Sequence, residues 1–225
     1  MREQLNLSSE FGLSERLAGL DVLTTVHAAD QPENTDRFKS GPRNFGELAT
    51  FLSEPVVDDA LSAEQYRAMT DVEKRKRDME LGFWLPGRAI DTDSRPNQRA
   101  FMQSLFVFDL IGFEPQEIEF IRTRAFGGGF IAALMHTLRG HSAEKPKVRI
   151  IFPLFEPISL TDAYLTQPEL PERLSHINLA GRVIGESLLD VDRPLAIPMI
   201  SQGEMFWFQA FDGAPIFADN FMEAP

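Results

Sequence analysis

Three carboxylates and one short cationic stretch carry the chemistry this sequence can offer. Asp109 ends the apolar run "SLFVFD" (104–109). Asp190 and Asp192 stand in "LLDVDRPLAIP", just before another apolar run. "GHSAEKPKVRIIFPL" (140–154) sets His141, Lys147 and Arg149 in front of a third. A carboxylate at the end of a buried strand is costly unless it is paired or metal-bound. Carboxylates converging from two strand ends suit Mg²⁺ or Mn²⁺, which take oxygen ligands. Two such ions clamp the attacking and leaving oxygens of a phosphoryl displacement. Cations on one strand face hold a triphosphate by charge-assisted hydrogen bonds. The parts therefore suit metal-assisted nucleotidyl transfer. Asp109, His141, Asp190 and Asp192 are its candidate catalytic residues, and Asp109, Asp190 and Asp192 its candidate metal ligands. Lys147 and Arg149, with His141, form the candidate nucleotide site, because Lys147 and Arg149 alternate with Val148 and share a strand face. Plain structural readings stand beside these. An aspartate after a strand also caps a turn or helix, and a basic run is also a solvated face.

Those residues need strands to hold them. "DVLTTVHAA" (21–29), "SLFVFDLIG" (104–112), "VRIIFPLFEPI" (148–158), "PLAIPMIS" (194–201) and "EMFWFQAF" (204–211) read as strands. "GGGFIAALMHTL" (127–138) reads as strand or helix. "NFGELATFLSEP" (44–55) reads as a short helix stopped by Pro55, and "SAEQYRAMTDVEKRKRDMEL" (62–81) as one helix with Ser62 as N-cap. "GFWLPGRAIDTDSRPNQRA" (82–100) reads as a turn-rich linker. "EPQEIEFIRTRAF" (114–126) and "SLTDAYLTQPELPERLSHINLAGRVIG" (159–185) read as helical. The expected class is α/β (α+β), with a split β-α-β sheet and helices on one face. Central strands are expected at Ser104–Asp109, Val148–Leu154 and Met205–Ala210. Residues 1–20 are expected as an N-terminal extension and 21–225 as one domain.

Charge and composition narrow the possibilities. The formal charge is -12, yet from Phe120 to Ile150 six basic residues face one acid, Glu144. So acidic a chain does not bind nucleic acid strongly by bulk electrostatics. A local cationic groove still suits a phosphate-bearing ligand. The chain has no cysteine, which excludes disulfides, thiolate metal sites and cysteine nucleophiles. No stretch is long and apolar enough for a membrane helix, and "MREQLNLSSEFGLSERLAGL" has no secretory h-region. A cytoplasmic location without a membrane partner is the expectation. "AFGGGF" is no phosphate loop, and no Gly-x-Ser-x-Gly elbow occurs. His27, His136 and His176 have no metal-like spacing.

Several motifs together resemble the archaeo-eukaryotic primase superfamily, in its primase-polymerase branch of phages, plasmids and integrated elements. "RKRDMELGFWLPGRAIDTDSRPNQRAFMQSLFVFDL" (75–110) is similar to the basic helix, glycine turn and first catalytic strand of that family. "LRGHSAEKPKVRIIFPLFEPIS" (138–159) resembles its histidine motif, and "LLDVDRPLAIPMISQGEMFWFQAFDGAPI" (188–216) its closing segment. The resemblance spans roughly Leu20 to Phe221. It implies an RRM-like sheet with an N-terminal α/β unit and template-directed nucleotidyl transfer with Mg²⁺ or Mn²⁺. The implied partners are nucleoside triphosphates, a single-stranded DNA template, and a helicase or other replication protein. It implies that His141, Lys147 and Arg149 contact the incoming phosphates. One departure stands out. The first motif is Asp-x-Asp, and here Ile111 takes the second acid's place. A buried isoleucine binds no metal, and Glu114 and Glu117 fall on the following helix. Two expectations follow: a rearranged primase-polymerase, or an inactive descendant that acts as a binding or interaction module.

Overall fold

The computed structural model describes residues 10–28, 39–91, 99–125, 129–166 and 194–217. Its central sheet has five strands: β5 (Gly87–Asp91), β6 (Arg99–Ile111), β7 (Ala133–Thr137), β8 (Lys147–Ser159) and β11 (Phe208–Phe211). Their order is β11-β7-β8-β6-β5, and every neighbouring pair is antiparallel. A short helix, α5 (Pro115–Phe120), runs into one π turn (Ile121–Ala125) and links β6 to β7. β8 lies between those two strands, so the β-α-β unit is split. The class is mixed α/β, with several sheets and short helices.

The central stretches of β6 and β8, Leu105–Phe108 and Ile150–Leu154, are wholly apolar because both faces of the sheet are covered there. Phe106, Phe108 and Leu110 pack with Ile150, Phe152 and Met135 under Ile118 of α5 and Ala163 of α6 (Leu160–Thr166). Their neighbours in the strand point the other way. Leu105, Val107, Leu134 and Ile151 pack with Leu48 and Leu52 of α2 (Phe45–Ser53) and with Trp84. This second layer is the N-terminal unit. It contains α1 (Glu15–Ala18) and an antiparallel sheet ordered β2-β1-β4-β9. Those strands are Lys39–Ser40, Thr25–Ala28, Gly82–Leu85 and Leu195–Ala196. A parallel pair, β3 (Val56–Ser62) with β10 (Met199–Gln202), completes it.

Several sequence expectations change. The 62–81 segment is two helices, α3 (Ala63–Ala68) and α4 (Asp71–Leu81). Ser62 caps the first, as expected, and Thr70 caps the second with a capping box to Glu73, which breaks the run. The expected linker 82–100 holds β4 and β5. Gly87 opens β5 as a glycine because a Cβ there would lie 2.3 Å from the Met102 carbonyl oxygen. The last strand is Phe208–Phe211, at the sheet edge rather than its centre, and Met205 lies outside it and exposed. Within the expected extension, Leu13 and Leu17 are buried in the second core. No helix among the described residues is long and apolar enough to cross a membrane.

Candidate functional site

Strand register assembles the site. Asp109 on β6 pairs with Arg149 on β8, and Arg149 pairs with His136 on β7. Ile111 pairs with Lys147 one step along. Side chains alternate, so Val107, Asp109 and Ile111 share the face of β6 toward the N-terminal unit. There the apolar packing ends and a cavity of about 230 Å³ opens. Its floor is Asp109, Ile111, His136, Lys147 and Arg149, and its cover is Tyr66, Arg75 and Asp78 with the segment Pro194–Met199.

Within it, Arg149 Nε donates to Asp109 Oδ1 at 2.7 Å and its second terminal nitrogen to Oδ2 at 2.9 Å. The remaining terminal nitrogen donates to the Ala196 carbonyl at 3.2 Å. Each guanidinium nitrogen thus makes one hydrogen bond, and both carboxylate oxygens accept from it. Lys147 is half-buried, and burial, followed by the nearby Lys74, pushes its ammonium below its ordinary value. Arg75 is exposed at the cavity rim. Neither has a carboxylate within ion-pair distance among the described residues, so Lys147 and Arg75 are the cations open to an anion.

A second cluster forms the cavity's side wall. Arg139 is buried and donates to Ser201 Oγ (2.8 Å), Asp78 (3.1 Å) and Asp58 (2.6 Å). Arg77 adds a bidentate pair to Asp58 at 2.7 and 3.0 Å. Tyr66 donates to Asp78 at 2.7 Å, and its ring lies 4.0 Å from the Arg139 guanidinium. The Arg77 hydrogen bond, followed by that of Arg139, holds Asp58 well below the usual carboxylate range. Burial pushes Asp78 up, and burial with the Asp78 bond pushes Tyr66 far up. This cluster ties α3, α4, β3 and β10 to the β7–β8 turn.

Of the residues expected in the site, Asp109, Lys147 and Arg149 come together. His141 does not join them. It lies in another cavity, of about 360 Å³, beside Arg122, Trp207 and Gln209. Its Nδ1 accepts from the Lys147 backbone N–H at 3.1 Å, which closes the β7–β8 turn. Asp190 and Asp192 lie outside the described residues. Ile111 is not buried, as the sequence suggested, but 58 % exposed, because the N-terminal unit stops short of it. Glu114 and Glu117 are spent on α5, where they form its capping box. His136, Arg75 and the Arg139 cluster were not anticipated. The only signal for His136 was a histidine inside the apolar run "ALMHT".

The donor set tests the implied Mg²⁺ or Mn²⁺. Among the described residues no group of three or more histidines and carboxylates is placed to hold a metal ion. Asp109 contributes one carboxylate, already engaged by Arg149, and Ile111 beside it offers no donor. The described residues therefore do not fit a two-ion centre.

No protein-family model, no curated protein and no solved structure matches this chain. What the fold and cavity define is a mixed α/β protein with a charged cleft at the junction of two layers.

Proposed function

We propose that the chain is a primase-polymerase-like protein whose cleft binds nucleotide phosphates without running two-metal nucleotidyl transfer. The observation that carries this reading is the bidentate Arg149–Asp109 pair, with Ile111 next to it on the same cavity wall. In the family pattern the first acid serves a metal and the strand cations serve phosphates. Here acid and cation serve each other. Lys147 and Arg75 remain to attract an anion into a low-dielectric cleft, where a charge-assisted bond is strong. In this reading the protein works in replication, or in interference with a host, as a nucleotide-holding module. A helicase, a single-stranded template or another replication protein is the class of partner it suggests.

A working polymerase is the second reading. It draws on the positions of Asp109 and Ile111, which share the wall at the i, i+2 spacing of the acidic pair. Two assays separate the readings. Titration calorimetry with a nucleoside triphosphate is expected to show binding that weakens with added salt. Primer extension in Mg²⁺ or Mn²⁺ is expected to show no product. Efficient extension that disappears in Asp109→Asn replaces the first reading with the second.

A further inference from the structure

Among the described residues that line the cavity, His136 carries a buried polar atom with no partner. It sits on β7 opposite Arg149 and is among the residues that line the cavity floor. The residue is 1 % exposed. Its Nδ1 lies 2.9 Å from the Thr137 carbonyl oxygen, an acceptor, so Nδ1 carries the proton. Nε2 is then a lone-pair acceptor. It is buried and has no hydrogen-bond partner among the described residues. Buried polar atoms are nearly always paired, so an orphan in a cavity wall points to a missing donor. No described neighbour supplies one: three of the five Arg149 N–H groups donate to Asp109 and Ala196, and none of the five is bonded to Nε2. Burial, followed by the Arg149 charge, also keeps the ring neutral, with its ordinary value of 6.5 lowered to about 4. An incoming anion is therefore not attracted to His136, whereas an O–H or N–H donor is.

Register places Lys147 diagonal to His136, roughly 7–8 Å away and somewhat less between Cβ atoms. A sugar phosphate bridges such a gap. Resting on the phosphate-binding reading above, we infer that the cleft takes a nucleoside phosphate, its phosphates on Lys147 and Arg75 and a hydroxyl or amino donor of its nucleoside part on His136 Nε2. The cavity then distinguishes a nucleotide from a bare polyphosphate.

Calorimetry on the whole chain tests this with four probes: ATP, its dideoxy analogue, the purine analogue without the exocyclic amine, and tripolyphosphate. His136→Phe, which keeps a flat ring and removes Nε2, is expected to weaken ATP about tenfold, the value of one buried hydrogen bond. Tripolyphosphate binding is expected to stay unchanged in that variant. With the wild type, one of the two analogues is expected to bind about tenfold more weakly than ATP, and which one names the donor. The wild-type series decides by itself if the variant does not fold. ATP and both analogues binding equally overturns the inference, even where tripolyphosphate binds and the phosphate reading stands. If neither ATP nor tripolyphosphate binds the wild type, the phosphate reading falls and this inference falls with it.

Discussion

Replacing Arg149 with methionine removes three directed hydrogen bonds and leaves Asp109 without its partner. The Arg149 side chain is 5 % exposed and that of Asp109 19 %. Breaking a fully buried ion pair costs about 3–5 kcal/mol, because a charge stays behind in a low dielectric. Asp109 faces the cavity, where water solvates part of the orphaned carboxylate, so the expected loss is about 2–3 kcal/mol. At about 2–4 °C per kcal/mol for a chain of this size, Tm falls by about 4–12 °C. Urea unfolding followed by tryptophan fluorescence measures the loss, with an unchanged denaturant slope showing that the native state is otherwise intact. The companion variant Arg149→Met/Asp109→Leu removes both charges. It is expected to recover at least about 1.5 kcal/mol of the loss, since replacing both partners by apolar groups is near neutral. The single variant also frees both oxygens of Asp109. Mn²⁺ is therefore expected to raise its Tm more than that of the wild type. A single variant within about 0.5 kcal/mol of wild type would show that the pair contributes nothing. A double variant no more stable than the single would show that the loss comes from packing, not from the stranded charge.

Three further outcomes are expected. Arg139→Leu leaves Asp58, 2 % exposed, with Arg77 and the Ala60 N–H, and Asp78 with the Tyr66 hydroxyl, so thermal unfolding should reveal a loss of about 3–5 kcal/mol. His136 titrates near 6.5 when unfolded and at about 4 when folded. Between those values the unfolded chain binds the extra proton, so stability falls as pH drops through that window, by up to about 3 kcal/mol. His136→Phe should abolish that acid limb in a series of denaturation curves, and a limb that persists would assign it to another group. Ile111→Asp places a carboxylate opposite Lys147 at an exposed position, so stability should change by no more than about 1 kcal/mol. Calorimetry should show tighter Mn²⁺ binding in that variant, and an unchanged titration would mean that positions 109 and 111 do not act on one ion.

Much of the scaffold was legible because burial on both faces leaves a plain trace. β6 and β8 appear in the sequence as apolar runs, and Ser62 announces its helix. Strands β3, β4 and β5 were hidden. "VVDDALS" and "GFWL" are short, and polar residues and prolines flank them, so their pairing comes from β10, β1 and β6 rather than from their own pattern. The site shows the same division. Lys147 and Arg149 share a face because strand side chains alternate, which local geometry alone requires.

By itself the sequence determined which segments must be buried and which cations a strand would present together. Only the tertiary structure decided what those cations meet. Arg149 meets Asp109 across 40 residues of chain, and Arg139 meets Asp58 across 81. Register between strands sets the first pairing, and the docking of β3 and α4 on the β7–β8 turn sets the second. The same packing sends His141 to a turn and His136 to the cavity floor. The physical reason is range. Side-chain alternation and capping act over a few residues, whereas a charge inside a low-dielectric interior must find its partner wherever the fold brings one. The cationic stretch of an acidic chain is thereby explained in part: Arg139 and Arg149 neutralise buried and half-buried carboxylates supplied from other strands and from α4.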